Sequence, residues 1–141
     1  MAALAAVYGS VFLWRMTHPP ELPSPVVTGE AAIRNAYTLT DHTGQAVTAE
    51  NYAGRWQLVF FGFTYCPDIC PTTLAYLASV MDSLNSQAER VVPIFITVDP
   101  ARDTPGHLAE AAPAIHPRLL ALTGSDDAIA QARAAYRVKS K

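Results

Sequence analysis

The sequence is poor in cysteine, has no run of basic residues, and has no apolar stretch of full membrane-spanning length. Its two cysteines are Cys66 and Cys70. A secreted mini-protein stapled by disulfides needs a far denser set, so that class is excluded. A structural zinc site normally takes four ligands. No second cysteine pair and no Cys/His cluster accompanies the first. Lys and Arg total 10 against 12 Asp and Glu, a net charge of −2. With no cluster of Lys or Arg anywhere, nucleic-acid binding through a basic face is not expected. Charged residues are 16% of the chain and hydrophobic ones 50%, the reverse of a disordered polymer. The 141 residues suit one domain with a core of its own.

The longest apolar stretch, Ala2 to Trp14, is closed by Arg15 and His18. It falls short of the roughly 20 residues of a spanning helix, and no basic residues precede it as in a signal peptide. Thr17 to Pro25 then holds four of the eleven prolines. Proline fixes φ and removes a donor, so this segment reads as an extended spacer. The expected layout is a partial membrane anchor over 1–16, a Pro-rich spacer over 17–26 and a globular domain over 27–141. The competing reading of the first segment is a packed N-terminal helix.

Within the domain, Ala36–Thr40 and Gln45–Thr48 flank Asp41-His42-Thr43-Gly44, the pattern of a β-hairpin. Gln57–Phe63 is a continuous apolar run and reads as a fully buried parallel strand. Thr72–Ser86 carries Leu74, Leu77, Ala78, Met81 and Leu84 on one helical stripe. Val91–Val98 is a second buried strand, so the three elements form a βαβ unit with parallel strands. Asp103 or Thr104 is placed to cap a helix that has Pro105 in its first turn and runs to about Ile115. A short strand over Leu119–Leu122 and a last helix, capped by Ser125 or Asp126 and ending at Ala135, complete an α/β domain.

The cysteines fall in Cys66-Pro67-Asp68-Ile69-Cys70, between the first buried strand and its helix. Pro71 places the start of the regular helix near itself, leaving Cys66 to Cys70 as the turn that feeds it. A helix N-terminus carries partial positive charge and unbonded N–H groups, which favour thiolate over thiol. At near-helical spacing the two Cα atoms lie about 6 Å apart. That separation permits a disulfide, and it also lets two thiolates reach one soft ion, Cu(I) above all. Thiol-redox enzymes commonly space the pair by two residues rather than three. A plain disulfide, or two inert buried cysteines, remains the simpler alternative. Asp99, Arg102 and Asp103 lie on the loop expected beside the site, where turn chemistry and capping are their simplest roles.

The run Phe60-Phe61-Gly62-Phe63-Thr64-Tyr65-Cys66-Pro67-Asp68-Ile69-Cys70-Pro71 resembles the signature of the SCO/SenC copper chaperones. Asp99-Pro100-Ala101-Arg102-Asp103-Thr104-Pro105 is similar to that family's second motif. Leu122-Thr123-Gly124, Ala134-Ala135-Tyr136-Arg137-Val138 and the turn Asp41-His42-Thr43-Gly44 match it in order. The resemblance runs from about Val27 to Val138. It implies a thioredoxin-like fold of SCO type with an N-terminal β-hairpin, tethered by one transmembrane helix. It further implies copper, as Cu(I) or Cu(II), held by Cys66 and Cys70. The implied task is delivery to the dinuclear copper site of cytochrome c oxidase subunit II, or reduction of that site's cysteines. The partners would be that subunit or a periplasmic copper donor. The domain would face the periplasm or, in a eukaryote, the mitochondrial intermembrane space.

The family pattern also implies a third ligand, a histidine beyond Tyr136-Arg137-Val138, followed by further strands and a C-terminal helix. The sequence stops at Lys141. The expectation is therefore an incomplete domain lacking those strands and that helix, with open sheet edges and marginal stability. His18, His42, His107 and His116 occupy no family ligand position and read as solvated surface histidines. Asp68 is a hard donor and a poor match for Cu(I). Three rival readings use the same cysteines: a thioredoxin-like thiol-disulfide oxidoreductase, a peroxiredoxin-type peroxidase, and a binding module with a structural disulfide. The peroxidase fits least, because Thr64 precedes Cys66 by two residues instead of three. The protein reads as a metallochaperone rather than an enzyme.

Overall fold

The computed structural model describes residues 36–67 and 69–139. The expected anchor over 1–16 and spacer over 17–26 lie outside the described residues. Strands β1 (Thr38–Asp41) and β2 (Ala46–Thr48) form the hairpin, paired antiparallel with Leu39 opposite Val47. Strand β3 (Trp56–Gly62) leads into helix α1 (Ile69–Ser83), and strand β4 (Val91–Thr97) into helix α2 (Pro105–Ile115). Strand β5 (Leu120–Thr123) and helix α3 (Asp126–Ala135) follow. The sheet order is β2-β1-β5-β4-β3. β3, β4 and β5 run parallel, while β1 joins β5 antiparallel.

Side-chain alternation along β4 divides the interior into two layers. Val92, Ile94 and Ile96 point to one face, where Ile129 and Ala132 of α3 pack with Leu39, Val47 and Leu122. Phe95 points to the other, against Leu74 of α1 and Leu108 and Ala112 of α2. This two-sided burial explains why β4 reads as an unbroken apolar run. Pro93 lies one residue before the β4–β5 ladder, which begins at Ile94 opposite Leu120. The missing N–H is therefore placed near a strand start, where proline is tolerated.

One burial and two boundaries differ from the sequence expectation. β3 is half-buried rather than fully buried, because among the described residues it is the sheet's edge, and Trp56 is 73% exposed. Its apolar run reflects one paired neighbour, β4, and ring contacts on its two faces, Phe60 with Phe95 and Phe61 with Tyr136. Helix α1 begins at Ile69, not Pro71. Pro71 thus sits in the first turn, where backbone N–H groups have no helical acceptor and a proline removes nothing. The helix ends at Ser83, and a 3-10 stretch, Asn85–Arg90, carries the chain to β4. Asn85 adopts a left-handed backbone there, φ 47°, a conformation asparagine tolerates better than most residues.

Helices α2 and α3 start as expected. Thr104 caps α2 by accepting from the His107 N–H at 3.3 Å, and Ser125 caps α3 by accepting from the Ala128 N–H at 3.2 Å. At the end of α3, Tyr136 packs edge-on against Phe61, ring centroids 5.6 Å apart, and lies 6.5 Å from the Tyr37 ring. This segment of the sequence therefore serves the layer beneath α3.

Two predictions test this frame. An ideal Cβ on Gly62 would stand 2.7 Å from Phe60 Cε1 and 3.2 Å from Phe95 Cε2. Gly62→Ala is therefore expected to lower the unfolding free energy by about 1–3 kcal/mol, read from urea titration. In the hairpin, Asp41 Oδ1 accepts from the Thr43 N–H (2.8 Å), the Thr43 hydroxyl (2.6 Å) and the Gln45 N–H (3.0 Å). Burial acts to raise this carboxyl's pKa, but the bonds from Thr43 and Gln45 outweigh it and hold the pKa below its usual value. A group depressed in the folded state stabilises above its unfolded pKa, and that contribution disappears as pH falls through the folded value. Asp41→Asn should therefore flatten the acid limb of the stability–pH curve below about pH 4, measured by denaturation at a series of pH values.

Candidate metal and thiol site

Because β3 and β4 are parallel neighbours, with Gly62 opposite Thr97, the loops leaving their carboxyl ends emerge side by side. Ligand sites of open α/β sheets occur at such ends. The β3 loop is Phe63-Thr64-Tyr65-Cys66-Pro67. The β4 loop runs from Val98 to Thr104. The Val98 N–H still bonds to the Gly62 carbonyl at 2.8 Å, so the two loops part from a common base.

Asp103 ties them together. It is fully buried, 0% exposed. Its Oδ2 accepts from the Thr97 hydroxyl at 2.6 Å and the Thr64 N–H at 3.1 Å, and its Oδ1 accepts from the Thr64 hydroxyl at 2.5 Å. A buried carboxylate with no donors would be costly, and three donors offset its loss of water. The sequence reading gave Asp103 a capping or turn role. The structure corrects this: Thr104 is the cap, and the Asp103 carboxylate reaches the loop that carries the first cysteine. A sequence cue exists in hindsight. Threonines close both strands, Thr64 just after β3 and Thr97 at the end of β4, and an aspartate returns from the following loop.

Asp99 and Arg102 form a local ion pair, with Arg102 Nε bonded to Asp99 Oδ2 at 2.5 Å. The Asp99 N–H bonds to Thr97 Oγ1 at 3.0 Å, and the Asp103 N–H to the Asp99 carbonyl at 3.0 Å. These two residues hold the loop's shape, as the turn reading expects. Arg102 also reaches across, its guanidinium 5.0 Å from the centre of the Tyr65 ring and 5.9 Å from that of Phe63. Tyr65 is 54% exposed and immediately precedes Cys66, so a cation and an aromatic ring border the site on its solvent side.

Cys66 is half-buried, and its backbone N–H bonds to the Phe63 carbonyl at 3.3 Å. Cys70 is the second residue of α1, four positions on. The pair therefore brackets a helix start, with Cys66 three residues before the first helical residue and Cys70 within the first turn. Asp68 lies outside the described residues. The helix's unbonded N–H groups and positive dipole end favour thiolate at such positions. Two thiolates offered by one short loop suit a soft monovalent ion, or one another in a disulfide. An apolar groove of about 450 Å³ opens beside the loop between α1 and α2, with Phe63, Pro71, Leu74 and Ile115 in its walls.

The histidines differ from their expected solvated state. His107 is half-buried, its Nε2 is 2.9 Å from Thr64 Oγ1, and its ring stacks on Tyr65 with centroids 5.3 Å apart. His116 is 8% exposed. Its Nδ1 accepts from the Arg118 N–H at 3.1 Å, and its Nε2 is 3.5 Å from Asp82. It joins the end of α1 to the start of β5 through packing, not through solvent. His42 is half-buried, with Nδ1 3.4 Å from the Ala121 N–H. His18 lies outside the described residues. Among the described residues, no three His, Cys, Asp or Glu side chains converge on one metal position.

A parallel core with a cysteine pair at a strand-to-helix turn, extended by a hairpin, defines a thioredoxin-like α/β domain. Family comparison sharpens this: the SCO1/SenC family model matches residues 26–141, and the chain belongs to that family. It is 45% identical over 112 residues to the mitochondrial SCO1 homolog 1 of Arabidopsis thaliana, covering 78% of this chain and 33% of that protein. The chain thus spans about a third of that relative's length. Bradyrhizobium japonicum ScoI, solved with copper bound, superposes with a TM-score of 0.73 at 40% identity, over 77% of this chain and 69% of that one. BsSco, described with a disulfide switch and as a member of the Sco family of cytochrome c oxidase assembly proteins, superposes with a TM-score of 0.64 at 26% identity, over 77% of this chain and 66% of that one.

Removal of the central acceptor tests the site's architecture. Asp103→Ala strands the Thr64 and Thr97 hydroxyls without an acceptor. A loss of about 2–4 kcal/mol in unfolding free energy is expected, with Asp103→Asn intermediate, measured by chemical denaturation.

Proposed function

We propose that this protein handles copper in the assembly of cytochrome c oxidase, holding the ion between the thiolates of Cys66 and Cys70. The observation that carries the reading is the placement of both cysteines at the N-terminus of α1, on a loop braced by Asp103, in a chain of the SCO1/SenC family. The donor set fits the cargo: thiolates select Cu(I) over the hard ions that Asp68 would prefer. The bracing fixes Cys66 before metal arrives, so less ordering is needed on binding. The recipient is the dinuclear copper site of subunit II, and the source a periplasmic or intermembrane-space copper donor. The copper-bound Bradyrhizobium relative supports the cargo, and the oxidase-assembly role described for BsSco supports the destination. The apolar segment over 1–16 would tether the domain to the membrane through the spacer over 17–26. Among the described residues no helix is long and apolar enough to cross a membrane.

A second reading uses the same sulfurs as a dithiol that reduces the recipient's cysteines. It is favoured by the helix N-terminus, which stabilises a leaving or attacking thiolate, and by the disulfide switch described for BsSco. The two roles need not exclude one another, because a site that binds Cu(I) must first be reduced.

Titration of the reduced protein with Cu(I) against a chromophoric chelator separates these readings. The expected result is one equivalent of Cu(I) withheld from the chelator, abolished by Cys66→Ser and by Cys70→Ser. A wild-type protein that withholds no copper, yet reduces a disulfide substrate, would replace the first reading by the second.

A further inference from the structure

His107 has no counterpart among the family's metal ligands, yet it reaches the cysteine loop from α2. The hydrogen bonds around it fix its role. The Thr64 hydroxyl donates its single proton to Asp103 Oδ1 at 2.5 Å. Thr64 Oγ1 is left with lone pairs only, so the contact of 2.9 Å to His107 Nε2 requires that nitrogen to carry the proton. His107 is thus a donor to Thr64. Its backbone N–H is held by Thr104 at 3.3 Å, and its ring lies on Tyr65 at an interplanar angle of 18°. One side chain grips the two residues that precede Cys66, from a helix start anchored by its own cap.

We infer that His107 is a positioning residue for Cys66: its Nε2–H donates to Thr64 and its ring holds Tyr65, so that α2 clamps the cysteine loop from outside while Asp103 holds it from within. This deepens the copper reading by naming a residue that sets how firmly Cys66 is presented, and it rests on that reading only for its copper arm. The clamp needs an N–H donor at position 107, not an imidazole ligand and not a charge.

Two readouts test it, one free of copper. In a Cys70→Ser background, the alkylation rate of Cys66 by iodoacetamide reports opening of the loop. In the otherwise unaltered protein, chelator competition reports the Cu(I) dissociation constant. His107→Ala should raise both by about five- to tenfold, with the thermal midpoint as a control for global loosening. His107→Gln keeps a donor that can reach Thr64 and should restore both to within about twofold. Should the alanine variant fail to fold, His107→Phe takes its place, keeping a ring against Tyr65 while removing the donor. The inference is overturned if the donor-less variant behaves as wild type, or if glutamine fails to restore a loop that the donor-less variant has loosened. If the wild-type protein binds no Cu(I), the copper reading fails by itself, and the alkylation arm still decides the role of His107.

Discussion

The Asp103 carboxylate is the constraint on which the rest of this site depends. It lies in a dry position between two parallel strand ends, and it is satisfied only if three donors arrive together, two from Thr64 on the β3 loop and one from Thr97 at the end of β4. That requirement couples the β3 loop to the β4 loop. The first loop carries Cys66, and the second leads into α2. The β4 loop holds itself partly through Asp99 and Arg102, while Thr64 of the β3 loop is held by the Asp103 carboxylate. The sheet brings them together, since the register that sets Gly62 opposite Thr97 puts both loop origins within one hydrogen bond.

The two hydrophobic layers serve the same end in different ways. The layer formed by α1 and α2 lies directly below the site, so Leu74, Phe95 and Leu108 fix where the helix starts stand. The layer beneath α3 holds the far side of the sheet and secures the hairpin, through Leu39, Val47 and Ile129. Gly62 sits against the Phe60 and Phe95 rings, at the point where strand becomes loop. Packing there is tight because the rings that fill the α1–α2 layer also crowd the exit toward Cys66.

Much of the fold was legible in the sequence. Apolar periodicity and turn signals located the five strands and the three α-helices among the described residues but not the 3-10 turns at Ala49–Tyr52 and Asn85–Arg90, and Thr104, Pro105 and Ser125 marked helix starts by capping chemistry that acts within a few residues. Apart from the start of α1, the failures share a physical cause, which is dependence on distant partners. The half-burial of β3 depends on which strands flank it, and an apolar run alone does not say so. The start of α1 was displaced by two residues because Pro71 was read as excluded from the helix, although a first-turn proline removes no bond. The cysteines announced their chemistry by type and spacing. The residues that brace them did not. Asp103 and His107 have ordinary local explanations as turn and surface residues, and only contacts 39 and 43 residues away in sequence with Thr64 reveal their roles.

Those separations have a consequence for the order of events as the chain folds. Long-range contacts must await closure of the intervening loops, and they form later than helices and tight turns. The β1–β2 hairpin and α1 need only neighbours in sequence, so both can take shape early. The surroundings of Cys66 cannot, because its supports at 97, 103 and 107 belong to the next βα unit. During synthesis the thiol is present for the interval before those residues emerge, carried on a tether with no fixed direction. The bracing of Cys66 is thus acquired in the last stages of folding, after the thiol itself.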